Sequence, residues 1–130
     1  MEDLALAEYA LLLMLGLEAK HFLADYLLQF DWMIRGKGSF ARAGGYVHAG
    51  IHVAGTVVIL LVLAVPTGFV LLLAACEFVI HYLLDFSKAN YGDHVSSADE
   101  PRKFWALNGL DQLFHHLTYI AMVWVMVHSL

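Results

Sequence analysis

Four apolar stretches, each near the length of a membrane-crossing helix, dominate this chain and leave few options for its fold. They run from about Leu4 to Phe30, Gly45 to Val65, Thr67 to Phe86 and Phe104 to Val127. Crossing ~30 Å of hydrocarbon at ~1.5 Å per residue takes about 20 predominantly apolar residues. Lipid supplies no hydrogen-bond partners, so a short chain can cross it only as helices. Composition agrees: 61% of the 130 residues are hydrophobic and 15% charged, against roughly 45–50% and about 25% in soluble domains. A soluble globule this small could not hide the excess. The expectation is an all-α integral membrane protein, one domain built as a bundle of four transmembrane helices.

Pro66, Thr67 and Gly68 favour a turn, so the second and third stretches read as a hairpin; one span kinked at Pro66 is the alternative. Arg35, Lys37 and Arg42 lie in the first long connection, and Lys88, Arg102 and Lys103 in the second. The short turn and both termini carry neither Lys nor Arg, so the positive-inside rule places the two long loops in the cytoplasm and the termini outside. Trp32, Trp105, Trp124, Tyr9, Tyr46 and Tyr91 fall near the expected boundaries, as an aromatic belt would. The first residues lack the positive n-region of a cleavable signal. Cys76 is the single cysteine, so no internal disulfide forms, and in its apolar run it is expected to be a small buried residue. The net charge of −5 comes with no basic patch, which argues against nucleic acid as a partner. Gly44, Gly45, Gly50 and Gly55 fit close helix packing better than a phosphate cradle.

The ionisable residues inside the stretches carry the chemistry. The first has His21 and Asp25, with Gln29 beyond; the second His48 and His52; the third Glu77, His81 and Asp85; the fourth Asp111 and His115. Each helix carries a pair at i, i+4, which puts both side chains on one face. With alternating helix directions, the pairs fall in one layer roughly 3–15 Å below the cytoplasmic surface, at ~1.5 Å per residue. Each such charge costs roughly 2.5–3.5 kcal/mol in the membrane, so groups like these face the interior and compensate one another or serve function. A divalent transition metal would compensate them, because imidazole and carboxylate are good ligands. The candidate ligands are His21, Asp25, His48, His52, His81, Asp85, Asp111 and His115. Eight are too many for one tetrahedral ion; they suit two metals, or one metal with a surrounding shell of orienting groups. A purely structural hydrogen-bonded network is the rival. His94 is expected to be solvated, His128 interfacial, and His116 a packing or supporting residue.

The run from His21 through Asp25, Gln29, Asp31 and Trp32 to Met33, followed by Lys37, resembles the N-terminal signature of a family of small bacterial membrane proteins catalogued as a domain of unknown function. His48, the run His81 to Asp85 and Lys88, and Asp111-Gln112 with His115 look like its remaining motifs. The resemblance covers most of the chain. It implies a bacterial inner-membrane protein, in which the charge pattern of the loops makes the termini periplasmic, and it assigns no activity.

The chemistry points to a membrane-embedded metal-dependent enzyme, a hydrolase acting on a lipid-linked or amphipathic substrate reached from the cytoplasmic leaflet. Zinc is the first choice, with iron or manganese as alternatives; water activated by the ion would be the nucleophile. Glu77, or another carboxylate not used as a ligand, is the expected general base. Lys37 and Lys88 are expected to hold an anionic group at the surface. The competing readings are a metal-ion or proton transporter or channel, a di-iron oxidase, and a b-type haem protein using a pair such as His52 and His81. A homodimer is left open.

Overall fold

The structure is a computed structural model that describes the backbone of residues 2–92 and 94–129 and the side chains from residue 5 onward. Among these residues it is all-helical: α1 (Glu2–Phe22) runs on into a π-helical turn (Leu23–Leu27), then come α2 (Asp31–Ile34), α3 (Ala43–Val62), α4 (Thr67–Gly92) and α5 (Pro101–Ser129). The four long helices form a square bundle: α1 packs on α3, α3 on α4, α4 on α5, and α5 back on α1. By length and composition, α3 and α4 are apolar enough to cross a membrane.

The α3–α4 hairpin follows from local chemistry. Ala64 adopts φ 56°; Val65 N–H donates to Leu60 O at 2.9 Å and Ala64 N–H to Leu61 O at 3.0 Å. This is a Schellman ending, which satisfies the last carbonyls of α3. Val65 and Leu60 close it by meeting in the core, and Pro66 stops the helix from continuing. The turn therefore comes earlier than Pro66–Gly68, and Thr67 already opens α4. At the other end of the bundle, α2 lies against the start of α3, backbone to backbone. A Cβ on Gly44 would stand 2.7 Å from Met33 O, so only glycine permits the approach. Gly45 similarly faces the Tyr82 ring, whereas nothing approaches Gly50.

The bundle is apolar outside and divided within. Leu11, Val62, Leu71, Val79, Ile120 and Trp124 are among its exposed large side chains. One half of the interior is hydrocarbon, built by Leu13, Leu17, Leu60, Val70, Leu73, Met122 and Met126. The half nearer α2 buries Lys20, His21, His48, His52, Glu77, His81, Asp85, Asp111 and His115. Cys76 is exposed, contrary to its expected burial. Glu77 takes the inward position, and its neighbour, turned ~100° around the helix, faces out.

Candidate metal centre

Each helix delivers its polar residues to the same interior layer because they recur on the face already committed to the bundle. Asp25, His48, His52 and His81 each offer one ligand atom, all within 4.8 Å of one another. His81, Asp85 and His115 form a second such set. The first set centres on one carboxylate oxygen: Asp25 Oδ1 lies 3.0 Å from His52 Nε2 and 3.1 Å from His48 Nε2. Ligands bound at ~2.0–2.2 Å on a tetrahedral ion stand roughly 3.3–3.6 Å apart, so a small inward or outward adjustment would seat a cation. In the second set, Asp85 Oδ2 is 3.4 Å from His81 Nε2, and Asp85 Oδ1 is 3.9 Å from His115 Nε2. His48 Nε2 joins the two, at 3.5 Å from Asp85 Oδ2.

Orphaned atoms test whether these residues fit a cation. Among the described residues both ring nitrogens of His48 and of His81, and His115 Nε2, are buried and make no aligned hydrogen bond, although His48 Nε2 faces Asp25 Oδ1 at 3.1 Å and Lys37 Nζ reaches Asp85 Oδ2 at 2.9 Å. Buried polar atoms are normally paired, and each orphan is costly. One ligand atom of each residue in a set comes within 4.8 Å of the others, and imidazole and carboxylate donors grouped in this way suit a divalent transition metal. The supporting bonds also suit it. His115 Nδ1 lies 2.8 Å from the Asp111 carbonyl oxygen; a carbonyl only accepts, so the proton sits on Nδ1 and Nε2 keeps its lone pair inward.

Not every candidate ligand belongs to a set. His21 uses both nitrogens elsewhere: Nε2 donates to Gln112 Oε1 and Nδ1 accepts from Tyr119 Oη, each at 3.0 Å. Gln112 in turn donates to Asp25 Oδ2 at 3.3 Å, so His21 orients Asp25 through Gln112. Its direct approach to Asp25 Oδ2 is 3.4 Å, across a π-helical turn and not a regular α-helical one. Asp111 accepts from Lys88 at 2.8 Å. Lys37 reaches in from the α2–α3 connection to Asp85 Oδ2 at 2.9 Å. His94 and His128 are exposed. His116 pairs with Glu18 at 2.8 Å on the half-buried α1–α5 face.

Glu77 lies outside both sets. It forms a buried ion pair with Lys20, whose ammonium also donates to Tyr119 Oη at 3.0 Å and lies 3.4 Å from His52 Nδ1. Sequence reasoning overlooked Lys20, Tyr119 and the roles of Gln112 and Glu18. The signal for Lys20 was present: it is the one cation outside the loops and their borders, and a lone ammonium in an apolar helix needs an anion at its own depth. Glu77 was the anion without a partner. Tyr119 and Gln112 carry no charge and give no comparable signal.

A family model described as a protein of unknown function (DUF3307) matches residues 11–130. No curated protein and no solved structure matches the chain.

Proposed function

The chain belongs to the DUF3307 family, whose function is unknown, and for it we propose a membrane-embedded metal-dependent enzyme, a hydrolase acting on a lipid-linked or amphipathic substrate from the cytoplasmic leaflet. The observation that carries this reading is the pair of buried ligand sets meeting at His81. Among the described residues neither His81 nitrogen makes an aligned hydrogen bond. An ion held in either set would take one His81 nitrogen. An ion there supplies Lewis acidity and brings the pKa of a water toward ~7. Zinc suits the ligands best, with iron or manganese as alternatives.

The chain's own residues divide the remaining work. Asp25, His48, His52, His81, Asp85 and His115 would hold the metal, and Gln112 and His21 orient Asp25. Glu77 is the base: Lys20 pairs with its Oε1, and its Oε2 makes no hydrogen bond among the described residues. Lys37 and Lys88 neutralise Asp85 and Asp111 at the loop end, where an anionic substrate arrives.

The same reading makes all four long helices transmembrane, with both termini on the periplasmic side of a bacterial inner membrane. Hydropathy passes only α3 and α4, but the residues that weigh against α1 and α5, such as Lys20 and Asp111, are buried inside the bundle. A through-going transporter is disfavoured by the hydrocarbon core that fills the other half. A haem between His52 and His81 is disfavoured because their ring centroids are 3.9 Å apart. The experiment is hydrolysis of amphiphilic phosphate and carboxylic esters by Zn²⁺- or Mn²⁺-loaded protein, with products read by mass spectrometry. Turnover lost in Asp25→Asn supports the reading; turnover equal in wild type and Asp25→Asn contradicts it.

A further inference from the structure

The seam between α4 and α5 opens to the outside of the bundle. A groove of ≈ 450 Å³ runs along it, walled by Leu72, Cys76, Ile80, Leu117 and Val125, with Glu77 as part of the wall. A second depression of ≈ 230 Å³ continues toward the loop end, where Lys88 and Asp111 line it. Leu84 and Phe114 belong to both, so the two adjoin along the seam. From Leu72 to Lys88 it follows α4 for about 24 Å at ~1.5 Å per residue.

Its chemistry is graded. The long part is hydrocarbon, as a tail-binding site is. At the loop end Lys88 makes one hydrogen bond among the described residues, to Asp111 Oδ2 at 2.8 Å. An ammonium has three donors, so it can take an anionic oxygen as well. Deeper in, Glu77 is 1% exposed and its Oε2 makes no hydrogen bond among the described residues. The loop end also touches the metal centre, because the Asp111 carbonyl accepts from His115 Nδ1–H at 2.8 Å.

We propose that this seam binds an anionic, long-chain amphiphile, its head group on Lys88 and its hydrocarbon chain lying past Phe114 and Cys76 toward Leu72. The inference concerns where an amphiphile binds: Glu77 lies 11 residues, or about 16 Å, from Lys88 along α4, beside the hydrocarbon chain and not the head group, so the site stands apart from the reaction proposed above. The binding itself does not require metal. A hydrocarbon chain fits because it brings no polar groups needing partners, which the long part of the groove could not supply. A positive side chain at the membrane surface selects an anionic head group. Cys76 lies 12 residues from Lys88, or about 18 Å along the helix. That exceeds the ~15 Å of one leaflet of a ~30 Å hydrocarbon core, so a long chain is needed to cover it.

Cys76, the single thiol and exposed, is the reporter. The full-length protein in nonionic detergent is alkylated with N-ethylmaleimide while hexadecyl phosphate is titrated in. If only the free site reacts, the rate falls about tenfold when the amphiphile reaches about ten times its half-protecting concentration. Hexadecyltrimethylammonium, with the same tail, should protect far less, and Lys88→Ala should remove the difference while Lys88→Arg restores it. Equal protection by both head groups would mean ordinary hydrocarbon contact and overturn the proposal, as would no protection by the phosphate. Protection that instead rises with protein concentration would assign the seam to a second copy of the chain. Repeating the titration after chelation separates the two readings: protection without bound metal supports the groove whether or not the enzyme reading survives.

Discussion

The Lys20–Glu77 pair offers the sharpest energetic test, because both partners are almost wholly enclosed, at 7% and 1% exposure. Lys20→Met keeps a similar apolar stem and removes the ammonium. Glu77 then stays buried without its counter-ion, and Tyr119 Oη and His52 Nδ1 lose a neighbour at 3.0 and 3.4 Å. Breaking one side of a buried pair costs about 3–5 kcal/mol. At ~2.1 cal/mol/K per residue over the whole chain, that corresponds to a fall of about 11–18 °C in the melting temperature. Replacing both partners, as Lys20→Met with Glu77→Met, removes the uncompensated charge and should recover most of the loss, since apolar replacement of a buried pair is often neutral or better. The assay is thermal unfolding in detergent by circular dichroism, with every variant scanned at one rate. A single variant melting within about 3 °C of wild type, or a double variant no better than the single, would refute the reasoning.

Other perturbations reach different parts of the structure. Ala64→Gly should raise stability by roughly 0.5–1 kcal/mol in thermal unfolding, the left-handed penalty of about 1–2 kcal/mol outweighing glycine's extra unfolded-state entropy. Gly44→Ala should destabilise by about 1–3 kcal/mol, because the new Cβ meets Met33 backbone and the neighbour cannot yield. Gln112→Leu should weaken metal affinity roughly 10–100-fold, as loss of an orienting partner does, while His52→Ala should abolish binding; titration with Zn²⁺ after chelation distinguishes the two. In Cys76→Ala protein, single cysteines at Ser39 and Ser97 should react only from the cytoplasmic side and one at Thr67 only from the periplasmic side. Periplasmic labelling at Ser39 or Ser97 would reverse the orientation.

The helical character and the convergence of His48, His52, His81, Asp85 and His115 were legible because a charge in an apolar helix must face its own kind, and i, i+4 spacing sets the face. Asp25 joined them although the chain there is π-helical, a local widening that no spacing argument anticipates. What stayed hidden was the division of labour. His21 differs from His52 only in its neighbours, Gln112 and Tyr119, which arrive from α5 and occupy both its nitrogens. Such pairings depend on helix rotation and depth, which one sequence leaves open. Cys76 was misplaced for a related reason: an apolar run on a membrane helix does not say which side meets lipid, whereas Glu77 beside it does.

Metal content tests the central claim most directly. Protein purified without added chelator and measured by inductively coupled plasma mass spectrometry should carry a transition metal at about one to two equivalents. His81→Ala, which removes the residue common to both ligand sets, should lose it. Stripped wild-type protein should regain stability on adding Zn²⁺, Mn²⁺ or Fe²⁺, by about 2.7 kcal/mol at a hundred times the dissociation constant. Protein that contains no metal, and whose melting temperature is the same with and without these ions, would contradict the account and leave the His–Asp layer as a structural network.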